Sequence, residues 1–327
     1  MGVTVAARRW VALLALVLCA VSGCASAVAG EATPEQVVGV TQTSDVRGNL
    51  DVTPLALVDP APVYRESEYS SEPEEGTRLV AVRWLVTNVD AEDILIGPVG
   101  TTHFVGNNGT TYDDSLLETS AGAMFDQLRL SPRQSMVGFT TAEIPEDVTV
   151  DEVEFTGGFG PDDEVLTWKT AGQAVKEAPK PPPRRNGPAT KPLGTGQEVE
   201  GTSDGDEFRL AVTPTKVTDP VEPRGQVYAE EDRRLLAVDL TVRNEGRAAY
   251  EDEQSDADLR IFAVHNAQDE AYTSHVYGAF ADREGPLPPG AEAKWTIYFQ
   301  VPTDFEVDRI SFSPSFGRTV ARIWTVT

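Results

Sequence analysis

Cysteine is almost absent from this chain: the sequence has only Cys19 and Cys24 in 327 residues. Both lie in the first 24 positions, so the remaining residues can form neither a disulfide nor a cysteine metal site. Histidine is also scarce, with three residues, and the sequence contains one long apolar run, residues 10–21. We therefore expect burial of apolar side chains, rather than covalent or metal links, to hold the body of the chain together.

Basic residues are also few, because 27 lysines and arginines face 52 aspartates and glutamates, which gives a formal net charge of −25. A body this acidic repels the phosphates of nucleic acid and of anionic lipid headgroups. Nucleic acid is therefore excluded as a partner, and surface charge cannot hold the chain on a membrane.

The N-terminus carries a recognisable processing signal. Two arginines, Arg8 and Arg9, precede an apolar run of about twelve residues, which is too short to span a bilayer. Val21-Ser22-Gly23-Cys24 then resembles the cleavage and lipidation signal of bacterial lipoproteins, which implies a diacylglyceryl group on Cys24 and anchoring on the extracytoplasmic face of the cell membrane. The alternative is an ordinary secretory signal cut near Ala25-Ser26-Ala27.

The rest of the sequence contains an internal repeat, which indicates a duplicated domain. Leu50-Asp51-Val52-Thr53-Pro54 recurs as Leu210-Ala211-Val212-Thr213-Pro214, and Arg78-Leu79-Val80-Ala81-Val82 recurs as Arg234-Leu235-Leu236-Ala237-Val238. Later matches, up to Trp168 and Trp324, keep offsets between 156 and 160 residues. One domain of about 125 residues is thus predicted to occur twice.

Alternating apolar residues predict the fold class. In both copies of the Arg78 run every second residue is apolar, whereas Arg83 on the other face becomes Asp239 in the second copy. This period-2 pattern is typical of antiparallel strands with one buried face, and no long amphipathic helix appears. The sequence therefore predicts an all-β protein with two tandem Ig-like antiparallel β-sandwiches. We expect four tryptophans to pack in the cores: Trp84, Trp168, Trp295 and Trp324.

The predicted boundaries follow from the repeat and from composition. A proline-rich, basic stretch lies between the copies and should form an extended spacer. The predicted segments are a signal peptide (1–23), a lipidated tether (24–44), a first sandwich (45–170), a linker (171–202) and a second sandwich (203–327).

Short motifs in both copies suggest a family. The Leu-x-Val-Thr-Pro strand, the Asn108-Gly109-Thr110-Thr111-Tyr112 turn and the Leu287-Pro288-Pro289-Gly290 turn resemble the telokin-like, Ig-like bacterial lipoprotein domains of unknown function. That family is in turn similar to a mycobacterial secreted immunoprotective antigen. The resemblance implies a β-sandwich in an extracytoplasmic setting, and it implies no catalytic residues.

Few residues suggest chemistry. Gly201-Thr202-Ser203-Asp204-Gly205 matches the nucleophile elbow of hydrolases, but it leads into a predicted strand and not a helix. His103, His265 and His275 form no zinc-binding spacing, and we expect them to be exposed or at strand edges, with His103 and His265 at similar positions in the two copies. The acidic run 251–258 offers Asp252, Asp256 and Asp258 as weak calcium ligands, although it lacks the glycine and closing glutamate of an EF-hand loop.

These observations favour a non-enzymatic lipoprotein without a cofactor, which presents two domains to an envelope protein or a cell-wall component. The alternatives are a structural spacer of the envelope and a calcium-dependent adhesion module.

The lipid anchor makes a direct prediction. Replacing Cys24 with alanine should release the protein from the membrane fraction, because the acidic body has no electrostatic attraction to the bilayer. Cys19→Ala is the matched control, since this residue lies within the leader and its loss should leave the protein in the membrane fraction. Fractionation of cells followed by immunoblotting measures both. Membrane retention of the Cys24→Ala protein would contradict the prediction.

Overall fold

A computed structural model describes most of the body of the chain and none of its first 37 residues. All of the described residues belong to one contact unit, within residues 35–327. The residues described below are 38–44, 49–64, 72–96, 102–125, 128–156, 164–170, 172–177, 190–203, 206–224, 227–229, 232–250, 261–273, 279–281, 285–313 and 321–326. They include no helix, and hence none that could cross a membrane.

Ten strands form the first half of the described chain. They are β1 (Gln42–Ser44), β2 (Leu50–Val58), β3 (Thr77–Asn88), β4 (Ile94–Ile96), β5 (Thr102–Gly106), β6 (Thr111–Asp113), β7 (Leu128–Leu130), β8 (Ser135–Pro145), β9 (Val150–Thr156) and β10 (Val165–Lys169). One sheet has the order β1-β2-β3-β8, a second has the order β10-β9-β5-β6, and β4 pairs with β7. All of these pairs are antiparallel.

Ten further strands form the second half. They are β11 (Lys191–Pro192), β12 (Gln197–Ser203), β13 (Asp206–Thr218), β14 (Arg233–Asn244), β15 (Ile261–His265), β16 (Ala271–Thr273), β17 (Ala279–Ala281), β18 (Glu292–Pro302), β19 (Arg309–Ser313) and β20 (Arg322–Thr325). Their sheets have the orders β12-β13-β14-β18-β17 and β11-β20-β19-β15-β16. The short β11–β20 pair is parallel, and the other pairs are antiparallel.

In each half, a core of apolar side chains lies between two sheets. The predicted inward face of β3 and its counterpart on β14 are buried, and so are the four tryptophans. Trp84 packs edge-on against Trp168, with 5.4 Å between ring centroids, and so links the two sheets of the first half. The prediction of an all-β sandwich with tryptophan-rich cores is confirmed.

The prediction that these strands bury only one face is wrong for much of β3. Leu79, Ala81 and Arg83 point away from the main core, yet each is at most 5% exposed. A second cluster covers Leu79 and Ala81 with apolar side chains that include Leu117 and Phe139. In the second half, Leu235 and Ala237 are covered in the same way by Val227 and Tyr298, although Arg243 is exposed as predicted. Alternation along a strand could not identify these covering segments.

Both halves repeat one polar clamp. Arg78 binds both carboxylate oxygens of Asp59, at 2.6 and 2.7 Å, and donates to the carbonyl of Pro145. Arg234 makes the same bonds to Asp219 and to the carbonyl of Pro302. The hydrogen bond to Asp59 raises the pKa of Arg78 above its ordinary value. The structural repeat therefore follows the sequence repeat in its hydrogen bonds as well as its strands.

Several strands lie inside the segments that the sequence assigns to connections. β1 falls at the end of the predicted tether, and β11 and most of β12 fall within the predicted linker. At the other end of the linker, the N–H of Val175 donates to the carbonyl of Leu57. Trp324 donates to the carbonyl of Thr195 at 2.7 Å, which fixes the entry to β12. The proline-rich residues 178–189 lie outside the described residues.

One difference between the copies predicts a stability change. Arg133 has a φ of 66°, in the left-handed region, where its counterpart is Gly290 with a φ of 74°. Because a side chain is disfavoured in that region, Arg133→Gly should raise the free energy of unfolding by up to about 1 kcal/mol, less the entropy that glycine adds to the unfolded chain. Gly290→Ala, the matched control, should lower it. Urea unfolding measures both, and a loss of stability in Arg133→Gly would contradict the prediction.

Candidate functional site

The two halves meet at a buried ion pair. Arg83 on β3 binds the carboxylate of Glu270, which lies 187 residues further along the chain in the turn before β16. Their side chains are 6% and 18% exposed, and the Arg83 guanidinium also lies 5.2 Å from the centre of the Phe139 ring. We call the set of contacts between the halves the junction.

The backbone contributes to the junction as well. The N–H of Val137, on the outer edge of β8, donates to the carbonyl of Asp269 at 2.8 Å. Asn266 orients the neighbouring carboxylate, because its side-chain amide donates to Glu270 while its oxygen accepts the N–H of the same residue. Asp269 has a φ of 65°, and this bend places its carbonyl in a tight turn. The turn 266–270 is thus held in one conformation where it meets β8.

A second buried arginine supports this turn from behind. Arg309 on β19 is fully buried, and it binds the carboxylates of Asp269 and Asp308 and the carbonyl of Asn266. A guanidinium removed from water needs such partners, because the desolvation of an unpaired charge costs several kcal/mol. Arg309 therefore fixes the turn that carries Glu270, and so it positions the partner of Arg83.

Aromatic rings enclose a third cation. The Arg233 guanidinium lies 4.4 Å from the ring centre of Tyr64, in the first half, and 5.7 Å from that of Tyr272, in the second. Its Nη2 is 4.0 Å from a carboxylate oxygen of Glu118. Burial, followed by the nearby charge of Glu270, raises the pKa of the Tyr272 hydroxyl. Tyr272 therefore stays neutral at physiological pH, and Arg233 links the halves through both rings.

Further contacts lie at the N-terminal end of β20. The N–H of Ala321 donates to the carboxylate of Asp93 at 3.1 Å, and the Ser131 hydroxyl donates to the carbonyl of Ala321 at 3.4 Å. In addition, Ala263 and Ala271 of the second half join the apolar core cluster of the first half. The junction is therefore a packed surface with ion pairs, rather than an isolated salt bridge.

The residues that the sequence singled out for chemistry do not meet here. Cys24, His275 and the calcium candidates Asp252, Asp256 and Asp258 lie outside the described residues. Within the described ranges, no group of three His, Cys, Asp or Glu side chains is arranged to hold a metal ion.

The two described histidines differ from the expectation. His265 is fully buried, and its Nε2 lies 2.8 Å from the Ser311 hydroxyl, so the prediction of an exposed or edge position is wrong. His103 is partly exposed, with Nδ1 3.0 Å from a carboxylate oxygen of Asp113. Strand register also places Ala263, not His265, at the position of His103.

The hydrolase-like motif lies in a β-hairpin. Its first three residues, ending at Ser203, belong to β12, and Ser203 pairs with Asp206 at the start of β13. Residues 204 and 205 lie outside the described residues. A nucleophile elbow needs a strand followed directly by a helix, and here a strand follows.

The residues of the junction did not emerge from the sequence as a site. The sequence predicts Arg83 as a solvent-facing residue of an alternating strand, and it assigns no role to Glu270. The available signal was the difference between the copies: Arg83 corresponds to Asp239, and Arg309 corresponds to Glu152. A change of charge between equivalent positions indicates that their surroundings differ.

The Arg83–Glu270 pair makes a quantitative prediction. Arg83→Ala should lower the free energy of unfolding by about 3 kcal/mol, because it leaves the Glu270 carboxylate largely buried without its cation. Glu270→Gln should cost less, and the double variant should cost less than the sum of the two. Arg209→Ala is the control, since Arg209 forms a solvent-exposed pair with Glu198 and its loss should barely change stability. Chemical unfolding measures all four, and equal effects of Arg83→Ala and Arg209→Ala would contradict the assignment.

Comparison with known proteins gives few similarities. No protein-family model matches the chain, and no curated protein matches it. Among solved structures, the chain is similar to an uncharacterised β-sandwich protein from Clostridium difficile 630, with 14% identity, 45% of this chain and 100% of that chain covered, and a TM-score of 0.28. The strands described above establish the all-β sandwich on their own, and the resemblance to telokin-like domains stays a prediction.

Proposed function

We propose that this protein is an extracytoplasmic lipoprotein, anchored by a diacylglyceryl group on Cys24, that displays two Ig-like sandwiches as one rigid, non-enzymatic binding body. Its partner is a protein or a cell-wall component of the envelope. Both sandwiches are proposed to be telokin-like lipoprotein domains. The proposed order of segments is signal peptide, tether, first sandwich, linker and second sandwich.

The junction is the observation that supports this function best. A linker between independent domains would favour bivalent binding of two separate ligands. The buried pair of Arg83 with Glu270 instead favours a fixed arrangement of the halves, because the pair of Arg309 with Asp269 holds the turn that carries Glu270. A fixed arrangement lowers the entropy lost when one partner contacts both halves.

Charge narrows the class of partner. The whole chain has a net charge of −25, so its acidic body is repelled by anionic polymers and attracted to basic surfaces. The outward residues of β5, β6 and β9 include Asp113 and Glu154, and Asp113 is 83% exposed. A basic protein surface therefore suits this body better than an anionic wall polymer does.

A binding measurement tests the proposal. Fluorescently labelled body, residues 35–327, is titrated onto two envelope preparations: membranes that retain their proteins, and cell walls freed of protein. The proposal predicts saturable binding to one of them, which unlabelled body displaces and which weakens as salt screens the charges.

The junction variant Arg83→Ala/Glu270→Ala serves as the matched control. This variant keeps nearly all of the exposed surface of the body, and each sandwich should stay folded. If binding depends on a fixed arrangement of the halves, its affinity should fall at least tenfold. Absence of saturable binding to both preparations, with protein that unfolds cooperatively, would contradict a binding function. A structural spacer is the second candidate, favoured by the same rigid junction, and it predicts that absence.

A further inference from the structure

The junction uses a different surface of each half, although both halves have the same fold. Around the turn 266–270, the second half contributes this turn and the outward face of β15, β16 and β19, which carries Ala263 and Ala271. There the first half contributes the outward face of β3 and β8 near Arg83, and the edge of β8 at Val137. An interface between unlike surfaces of like units is heterologous, and such an interface can continue from unit to unit into a filament. Each half therefore has one surface that is equivalent to a junction surface of the other half but takes no part in the junction. We call these two the leftover surfaces.

The leftover surface of the first half lies on β5, β6 and β9. Strand register makes His103 equivalent to Ala263, and Glu154 equivalent to Ser311. In the second half these positions are small and at most 2% exposed, whereas in the first half they carry an imidazole and a carboxylate. Burial of the Glu154 carboxylate without a cation on the docking surface, and the bulk of the His103 ring, oppose docking of this face onto another protein surface.

The turn of the first half lacks the anchoring carboxylate. Gly109, with a φ of 76°, occupies the place of Asp269 in the turn, so Thr110 corresponds to Glu270. Both turns close with the same hydrogen bond, from Gly109 to Gly106 and from Asp269 to Asn266. The shape of the turn is kept, but a threonine cannot pair with an arginine as Glu270 does.

The leftover surface of the second half lies on β14 and β18. There Asp239 replaces Arg83, Lys294 replaces Val137 and Thr296 replaces Phe139 in the same strand register. Thr296 donates its hydroxyl to Asp239 at 2.8 Å, so these two residues bond each other within one sheet. An incoming turn would find a carboxylate at the position of the Arg83 guanidinium and a hydroxyl at the position of the Phe139 ring.

We propose that these two surfaces are former repeat-to-repeat interfaces, and that their present residues keep a second copy of this chain from docking at either end. His103, Thr110 and Glu154 block the first end, and Asp239, Lys294 and Thr296 block the second. The chain therefore forms one pair of repeats to which no further repeat can be added at either end. For a protein held at high local concentration on a membrane, this closure prevents end-to-end association. The inference holds whatever partner the body binds.

Two complementary variants test the proposal. The docking variant, His103→Ala/Thr110→Glu/Glu154→Ser, gives the first half the face of the second. The receiving variant, Asp239→Arg/Lys294→Val/Thr296→Phe, gives the second half the surface of the first. Both are made in the body spanning residues 35–327 and are studied by sedimentation velocity, alone, mixed with each other and mixed with the unmodified body.

The expected result is a one-to-one complex only in the mixture of the two variants, while each variant alone and the unmodified body sediment as monomers. The complex should disappear when the receiving variant carries Asp239→Glu instead of Asp239→Arg, since the new ion pair is then lost. Monomers in the two-variant mixture, or self-association of the unmodified body that either variant abolishes, would overturn the proposal.

Folding of the variants is checked separately by thermal unfolding. If a triple variant does not unfold cooperatively, the smaller variants Thr110→Glu/Glu154→Ser and Asp239→Arg/Lys294→Val, which keep the new ion pair, are mixed at tenfold higher concentration. A detectable complex is then expected, and its absence from these folded proteins counts against the proposal.

Discussion

The fold of this protein depends on the cost of removing arginine from water. Arg83 of the first half and Arg309 of the second are both buried, and both find their carboxylates in the turn 266–270. Glu270 binds Arg83 across the junction, and Asp269 binds Arg309 within its own half. Moving the halves apart would separate Arg83 from Glu270, and a buried charge without its partner costs several kcal/mol. The Arg83–Glu270 pair therefore determines where one half sits on the other, while Arg309 holds the turn that carries Glu270. Apolar burial supplies most of the stability.

Duplication explains how one sequence pattern produced two different surfaces. The turns at Gly109 and Asp269 share a left-handed conformation. The backbone of either turn therefore has the shape that the turn 266–270 uses to contact β8. Side chains then differ where the environment differs: small or paired residues line the junction, and carboxylates line the exposed equivalent. This difference turns two similar folds into a single asymmetric body, which suits the proposed display of one defined surface better than independent movement of two domains does.

The sequence predicts the parts of this structure that depend on neighbouring strands. Period-2 alternation identifies the buried faces of β3 and β14, and the repeat identifies two similar cores with their tryptophans. It fails where distant segments cover a strand. Leu79 and Ala81 alternate as solvent-facing residues should, yet segments more than 30 residues away cover them. The predictions for Arg83 and His265 are wrong for the same reason. The partner of Arg83 and the burial of His265 both arise from contacts with distant parts of the chain, which a local pattern does not show. Of the candidate site, the sequence shows only the charge differences between equivalent positions, Arg83 with Asp239 and Arg309 with Glu152.

Rotational diffusion tests the central claim, that the junction joins the halves into one body. Nitrogen-15 relaxation of amides in β3 and in β14 reports how each half tumbles in solution. One body predicts the same rotational correlation time for both halves, with the longer value expected for their combined mass. Two distinct, shorter correlation times, each typical of a single sandwich, would show that the halves move independently and would contradict the account.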